Sequence, residues 1–423
     1  MREEKSKSIN FELTDNDIEE SKKTIKICEW DLKNSRVSGN RKEEGNNLGK
    51  LGLAYSHLGE TGKAIEYYEQ ALEFSRKTGN RESEGTITGN LGLAYGLLGE
   101  TERALEFHEY ALKIAREIGN LKGERNHLGN LGNLCYQSGE VRKATGYYEQ
   151  ALKISREIDD KRGEEDTLGN LVMAHNRLGE IKKVAEYSEQ ELEVLRETGE
   201  KSKEGQTLER LGLIYGFLEE VRKAITYHEQ ALEIFREIGE KKREAATCGN
   251  LGNMYFYQGK VSESIECYIE ALYIFEDEGD RNAAGSVSVS LGTRYSSLGK
   301  MEKAVEHYKY ALTAFQETGN TGGEIIAFKK LGWTYNALGQ IKEGIESYEQ
   351  ALEISRKTAD REEERNILEE LGRSYINLNK PETAGRYFEQ VLVISREFGD
   401  RRQEEIIIER LRDLQETKKT DGY

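Results

Sequence analysis

The chain has 423 residues, a formal net charge of −16, 33% charged and 36% hydrophobic residues, and one proline. An acidic balance of this size excludes the broad basic face that nucleic acid requires. No apolar run approaches the length of a bilayer span, so no membrane insertion is expected. So polar a composition would suit disorder, but the apolar residues recur at regular spacing, which calls for order.

Residues 1–20 carry charge without a period and are expected to be disordered or frayed. Met1-Arg2-Glu3-Glu4-Lys5 has no apolar core behind it, so no secretory signal is read there. Residues 21–40 are expected to form one capping helix. Ile25, Ile27, Cys28 and Leu32 repeat the spacing of Ile65, Tyr67, Tyr68 and Leu72, with Asp31 where most later copies have Ala. A polar residue there suits an end helix with one wet face.

Residues 41–400 read as nine copies of a 40-residue unit. A constant period in this range is the mark of a stacked repeat array. The recurring feature is a Leu-Gly pair: Leu51-Gly52, Leu91-Gly92, Leu131-Gly132, Leu211-Gly212, Leu251-Gly252, Leu291-Gly292, Leu331-Gly332 and Leu371-Gly372. Each copy predicts two helices. In repeat 2, Ile87, Leu91, Gly92 and Tyr95 share one helical face, and Ala104, Leu105, His108, Ala111, Leu112 and Ala115 share another. Gly99 ends the first helix in the left-handed conformation, and Thr101 is a candidate cap for the second. Short joins make the two antiparallel.

A glycine inside a helix costs about 1 kcal/mol relative to alanine. Close approach of the second helix is the expected compensation, with Ala64, Ala104, Ala144, Ala224 and Ala304 as the facing residues. Repeat 4 departs most, having Val172 for the glycine, His175 for the tyrosine, and Val184 and Glu191 for alanines; a softer point in the array is expected there. Pro381 suits the first turn of a helix. Residues 401–418 are expected to form a last capping helix, with Ile408, Leu411 and Leu414 toward the core, followed by a disordered tail over 419–423. Cys28, Cys135, Cys248 and Cys267 have no CxxC spacing; they are read as reduced, mostly buried cysteines, as expected of a cytoplasmic protein.

Leu51, Gly52, Tyr55, Ala64, Tyr68 and Ala71 fall at the spacing of the tetratricopeptide repeat, which the chain resembles over about nine tenths of its length. Two departures stand out: the period is 40 rather than 34, and the proline after the second helix is missing. Lengthened repeats of this kind resemble those of the Pins/LGN-type adaptors, the kinesin light chains and some bacterial peptide receptors. The resemblance implies an all-α fold, a right-handed solenoid of tandem antiparallel hairpins. First helices would line a concave groove holding an extended or helical peptide of a partner protein. The G-protein-binding motifs of the Pins-type adaptors have no counterpart in this sequence.

If Leu, Gly and Tyr face the second helix, the residues beside them face the groove. The slot before each Leu holds Lys50, Asn90, Asn130, Asn170, Arg210, Asn250 and Lys330 among others. Two residues after it stand Asn133, Asn253, Trp333 and Arg373, and one turn on come Arg177, Phe217 and Tyr257. An asparagine both donates and accepts, so a row of them can hold a peptide backbone of any sequence. The competing reading is that these asparagines bond only to neighbouring first helices. Lys50, Arg177, Arg210, Lys330 and Arg373 suggest an acidic ligand, while Phe217, Tyr257 and Trp333 are candidate exposed anchors. The six histidines lack the i, i+4 spacing of a metal helix, and no nucleophile-elbow or phosphate-loop motif is present, so no metal, cofactor or catalysis is expected. Two further function classes stay open: a self-assembling scaffold using its ends or outer face, and a receptor module for a diffusible peptide.

Overall fold

The computed structural model of the chain describes residues 15–420, and side chains over 18–414. The expected disorder of 1–14 and 421–423 lies outside the described residues. Those residues form twenty helices and no strand, divided between two compact units, 1–200 and 201–423. The boundary falls between repeats 4 and 5.

In unit 1, α1 (Asp15–Ser38) is followed by α2 (Arg41–His57), α3 (Thr61–Thr78), α4 (Arg81–Leu97), α5 (Thr101–Glu117), α6 (Leu121–Gln137), α7 (Val141–Glu157), α8 (Lys161–Arg177) and α9 (Ile181–Thr198). The first helix starts six residues ahead of the expected position. Unit 2 runs α10 (Lys201–Phe217), α11 (Val221–Ile238), α12 (Lys241–Tyr257), α13 (Val261–Asp277), α14 (Arg281–Ser297), α15 (Met301–Thr318), α16 (Thr321–Ala337), α17 (Ile341–Lys357), α18 (Arg361–Asn377), α19 (Pro381–Glu397) and α20 (Arg401–Thr420). Within each unit, every helix packs on its neighbour in sequence.

Two turns punctuate each repeat. Between its helices a left-handed residue closes the first helix, Glu219 in repeat 5, Asn379 in repeat 9 and otherwise a glycine such as Gly99, at φ +77°, where Glu100 N donates to Tyr95 O at 2.9 Å. Thr101 is not the cap: it is the first helical residue, and Glu100 before it makes no side-chain capping bond. Between repeats the cap is an Asn or Asp at most joins, while Glu240 before α12 makes no side-chain capping bond. Asn120 Oδ1 accepts from Gly123 N at 2.9 Å and Asp160 Oδ1 from Gly163 N at 3.0 Å. Pro381 opens α19 in its first turn, as its missing N–H allows.

The Leu-Gly pair meets a ring rather than an alanine. A Cβ built on Gly52 would lie 2.5 Å from the ring of Tyr68; on Gly292, 2.5 Å from Tyr308; on Gly332, 2.8 Å from Tyr348; on Gly372, 2.6 Å from Phe388. The glycine clears room for an aromatic sixteen residues later in the second helix, and the alanines pack around that contact with no exposure. Repeat 4 inverts the pair. Val172 takes the glycine slot and Ser188 the aromatic slot, and both are buried. The valine fills what the serine leaves, so the expected soft point has a compensated core.

An ion-pair clip, read from the sequence only as solvated charge, joins consecutive repeats. Arg116 Nε lies 2.6 Å from Glu124 and its Nη2 3.3 Å from Gln150; Arg156 repeats this with Glu164 and Gln190 at 2.6 and 2.8 Å, and Arg356 with Glu364 and Gln390 at 2.8 and 2.9 Å. The carboxylates of Glu84, Glu164, Glu244 and Glu364 are buried. At the α13–α14 join both partners change, to Glu276 and a buried Ala284. Tyr310 then donates to Glu276 and accepts from Arg281, each at 2.7 Å. At the C-terminal end, Arg412 stands exposed in the slot that glycine fills elsewhere, and Ile407, rather than Ile408, is the fully buried residue.

Candidate functional site

The first helices of each unit carry the candidate residues, one turn or less from the Leu-Gly pairs that fix their direction. In unit 1, Asn90, Asn130 and Asn170 are half-buried on α4, α6 and α8 and line one cavity of about 560 Å³ together with Asn133. None of these three amides is engaged by another described residue. The same holds for Asn250 on α12, so the competing reading, in which the row is spent on neighbouring helices, does not describe these four side chains. Asp166, Glu82 and Lys122 stand on the cavity rim. Arg125, also lining it, donates to Asp160 at 2.9 Å. Beneath lie His108 and His127, their ring centres 5.7 Å apart. Burial holds His108 down to about 4 and lowers His127 as well, so both are neutral at pH 7.

Asn133 and Asn253 differ from the row. Tyr148 donates to Asn133 Oδ1 at 2.8 Å. Asn253 Oδ1 accepts from Tyr268 at 2.5 Å and from Arg294 at 3.0 Å. Their acceptors therefore brace the second helix. Arg177, expected in the groove as a free cation, stacks over Tyr136 at 5.0 Å and donates to the Tyr136 carbonyl at 3.0 Å. Lys50 is exposed on α2, close enough to Cys28 of α1 to act on its thiol.

Unit 2 presents different chemistry. Phe217 and Tyr257 are 75% and 72% exposed and Trp333 is 50% exposed, so these rings are not packed between first helices. Arg210 donates to Thr207 Oγ1 at 3.2 Å. Arg373 pairs with Glu369 at 2.7 Å and Glu370 at 3.5 Å, and Lys330 is exposed on α16. Glu209, beside Arg210, has its carboxyl pushed up by burial, even with Arg243 at 3.3 Å pulling the other way.

The sequence reading missed the contribution of the second helices. Tyr148, Tyr268 and His108 decide from below which groove residues are free, and the signal was present. A tyrosine in that slot accompanies Asn133, Asn253 or Thr293 fifteen residues earlier in repeats 3, 6 and 7, but Leu53 and Trp333 in repeats 1 and 8, and a histidine, His108 or His228, accompanies Leu93 or Leu213. Among the described residues, no group of three or more His, Cys, Asp or Glu could hold a metal ion, and no helix is long and apolar enough to cross a membrane.

Seven spans, the first six overlapping, match the tetratricopeptide repeat family: residues 43–117, 83–157, 123–197, 163–237, 203–260, 243–317 and 324–397. No curated protein matches the chain. Among solved structures, the chain is similar to a signal-transduction ATPase with numerous domains, bearing a tetratricopeptide repeat sensor, from Pyrococcus horikoshii. That likeness has 16% identity and a TM-score of 0.52, over 85% of this chain and 55% of that one. BtubC from P. vanneervenii matches at 24% identity and a TM-score of 0.41, over 52% of this chain and 92% of that one. A kinesin-light-chain-type protein from Podosopora anserina with nearly identical TPR-like repeats matches at 21% identity and a TM-score of 0.41, over 46% and 95%.

Proposed function

The chain belongs to the tetratricopeptide repeat family, and from that premise we propose that it is a non-enzymatic adaptor whose first helices hold extended segments of partner proteins. The observation that carries this reading is the row Asn90, Asn130 and Asn170. These are three amides on successive first helices, half-exposed over one cavity, with donors and acceptors unspent. The packing behind fixes the helices that carry them, so the receptor backbone needs no ordering when a peptide arrives. On unit 2, Arg210, Lys330 and Arg373 with Phe217, Tyr257 and Trp333 suit a ligand that brings carboxylates and large apolar side chains. The protein acts in the cytoplasm on this reading.

The test is parallel capture with wild type and an Asn130→Ala, Asn170→Ala, Arg210→Ala variant, read by mass spectrometry. Partners lost from the variant, with an unchanged helical melt, support the groove. Identical partner sets count against it. A concentration-dependent oligomer that survives these substitutions would instead favour the scaffold class.

A further inference from the structure

A second cavity, of about 470 Å³, opens on the same face of unit 1, between α2, α4 and α6. Its size lies within the range of about 300–1,000 Å³ typical of small-ligand pockets. Leu53, Leu93 and Leu97 wall it and are 45%, 50% and 70% exposed; Asn90 and Asn130 stand at its edge, and His108 lies beneath. No Asp, Glu, Lys or Arg lines it; its remaining polar side chains are Ser56, His57, Tyr68, Asn133 and Gln137.

The cavity has a specific origin. In repeats 3, 6 and 7 the second helix sends up a tyrosine whose hydroxyl finds a polar group on the first helix: Tyr148 with Asn133 at 2.8 Å, Tyr268 with Asn253 at 2.5 Å, Tyr308 with Thr293 at 3.3 Å. Repeat 2 changes both halves of the pair. His108 replaces the tyrosine, and Leu93 replaces the polar partner. An imidazole ends short of where a phenol hydroxyl would reach, so that depth is left open and is walled by leucine. The imidazole is 1% exposed, and its Nδ1 has no hydrogen-bond partner among the described residues. An apolar wall above a neutral buried ring disfavours a charged guest, because a carboxylate or ammonium would lose its water without gaining a counter-charge.

We infer that this cavity is the specificity pocket of the unit 1 face: it takes an aliphatic side chain of leucine size from an extended, uncharged stretch of a partner protein, while Asn90 and Asn130 hold the backbone on either side. The inference rests on the reading of the asparagine row as a backbone holder. It adds that unit 1 selects by an apolar side chain rather than by acidity.

Short capped glycine–serine peptides with a central Leu, Ala or Asp serve as probes. They are titrated into the full chain carrying isotope-labelled histidine and followed by the ring signals of His57 and His108, which both line the cavity, His57 remaining as the reporter where His108 is replaced. The Leu peptide is expected to shift them saturably and to bind at least about tenfold tighter than the Ala peptide, since even one methylene in such a pocket is worth about that. The Asp peptide is expected to leave them unmoved. His108→Tyr with Leu93→Asn reproduces the pair that repeat 3 already folds with, and it should abolish the Leu preference. Leu53→Asp, at an exposed position, should abolish it without touching the core. Failure to see saturation by about 10 mM, equal binding of the Asp peptide, or a Leu preference that survives both variants would overturn the inference. If capture still depends on Asn130 and Asn170 while the probes show no preference, the groove reading stands and the pocket falls. If neither experiment responds, both fall.

Discussion

Unit 1 and unit 2 use the same slots for opposite chemistry. Before its Leu-Gly or Leu-Val pairs unit 1 sets Lys50, Asn90, Asn130 and Asn170, with Leu53 and Leu93 alongside, Arg125 tied to Asp160 and Arg177 to Tyr136. Unit 2 sets Arg210, Asn250, Ser290, Lys330 and Glu370 there, and rings protrude at Phe217, Tyr257 and Trp333. Behind both faces the frame is the same, a glycine under an aromatic. The contrast teaches that binding character is written one slot away from the frame, so it changes from repeat to repeat without disturbing the fold.

The largest expected effect tests whether the two frames respond alike to acid. His108 in unit 1 and His228 in unit 2 are both held down to about 4 by burial. An unfolded histidine protonates near 6.5, so between those values the unfolded chain binds protons that the folded chain refuses. Stability is therefore full above pH 6.5 and falls as pH drops toward 4, by up to about 3 kcal/mol for each histidine. Urea melts across that window should show the loss, and His108→Tyr should remove that histidine's share while leaving those of His127 and of unit 2.

Next in size is the frame itself. Ser188→Tyr against Val172 should overpack repeat 4 and cost roughly 1–3 kcal/mol, seen as a lower melting midpoint. Adding Val172→Gly should return most of it, a non-additivity that measures the contact. Gly332→Val against Tyr348 should cost a similar amount in unit 2; a neutral result there would show that the two units do not share one frame.

The faces come third. Alanine at Phe217, Tyr257 or Trp333 should weaken a unit 2 partner by about 2 kcal/mol at whichever ring is an anchor, while leaving melting within about 0.5 kcal/mol, because these rings are exposed. Smallest is Arg373→Ala. Its pairs with Glu369 and Glu370 involve a half-exposed guanidinium, so stability should change by less than about 1 kcal/mol. A larger loss in a melt would move Arg373 from the face into the frame.

The period of forty carried most of the fold on its own, because each helix begins and ends on local chemistry: Asn120 as cap, Gly99 as left-handed stop. The direction of Asn90 followed from Leu91 and Gly92 by helix geometry alone. Contacts between helices were harder to read. Gly52 was matched with Ala64, and its actual partner, Tyr68, lies a turn further along α3. Arg177 counted as a free cation until α6 placed Tyr136 beneath it. Charge and spacing tell which face a side chain is on, but whether its hydrogen bonds are already spent depends on a neighbour contributed by another element.

The clip between repeats bears on inheritance. Arg116 meets Glu124 much as Arg356 meets Glu364, with the same Gln one helix further on. Within a unit, a duplicated or deleted stretch of forty residues bearing this pair would rejoin its neighbours through the chemistry they already use. Copy number can then drift by whole steps while every seam stays matched. The seam between Glu276 and Ala284 is written differently on both sides, so the copies flanking it have diverged together and can no longer be traded for the others.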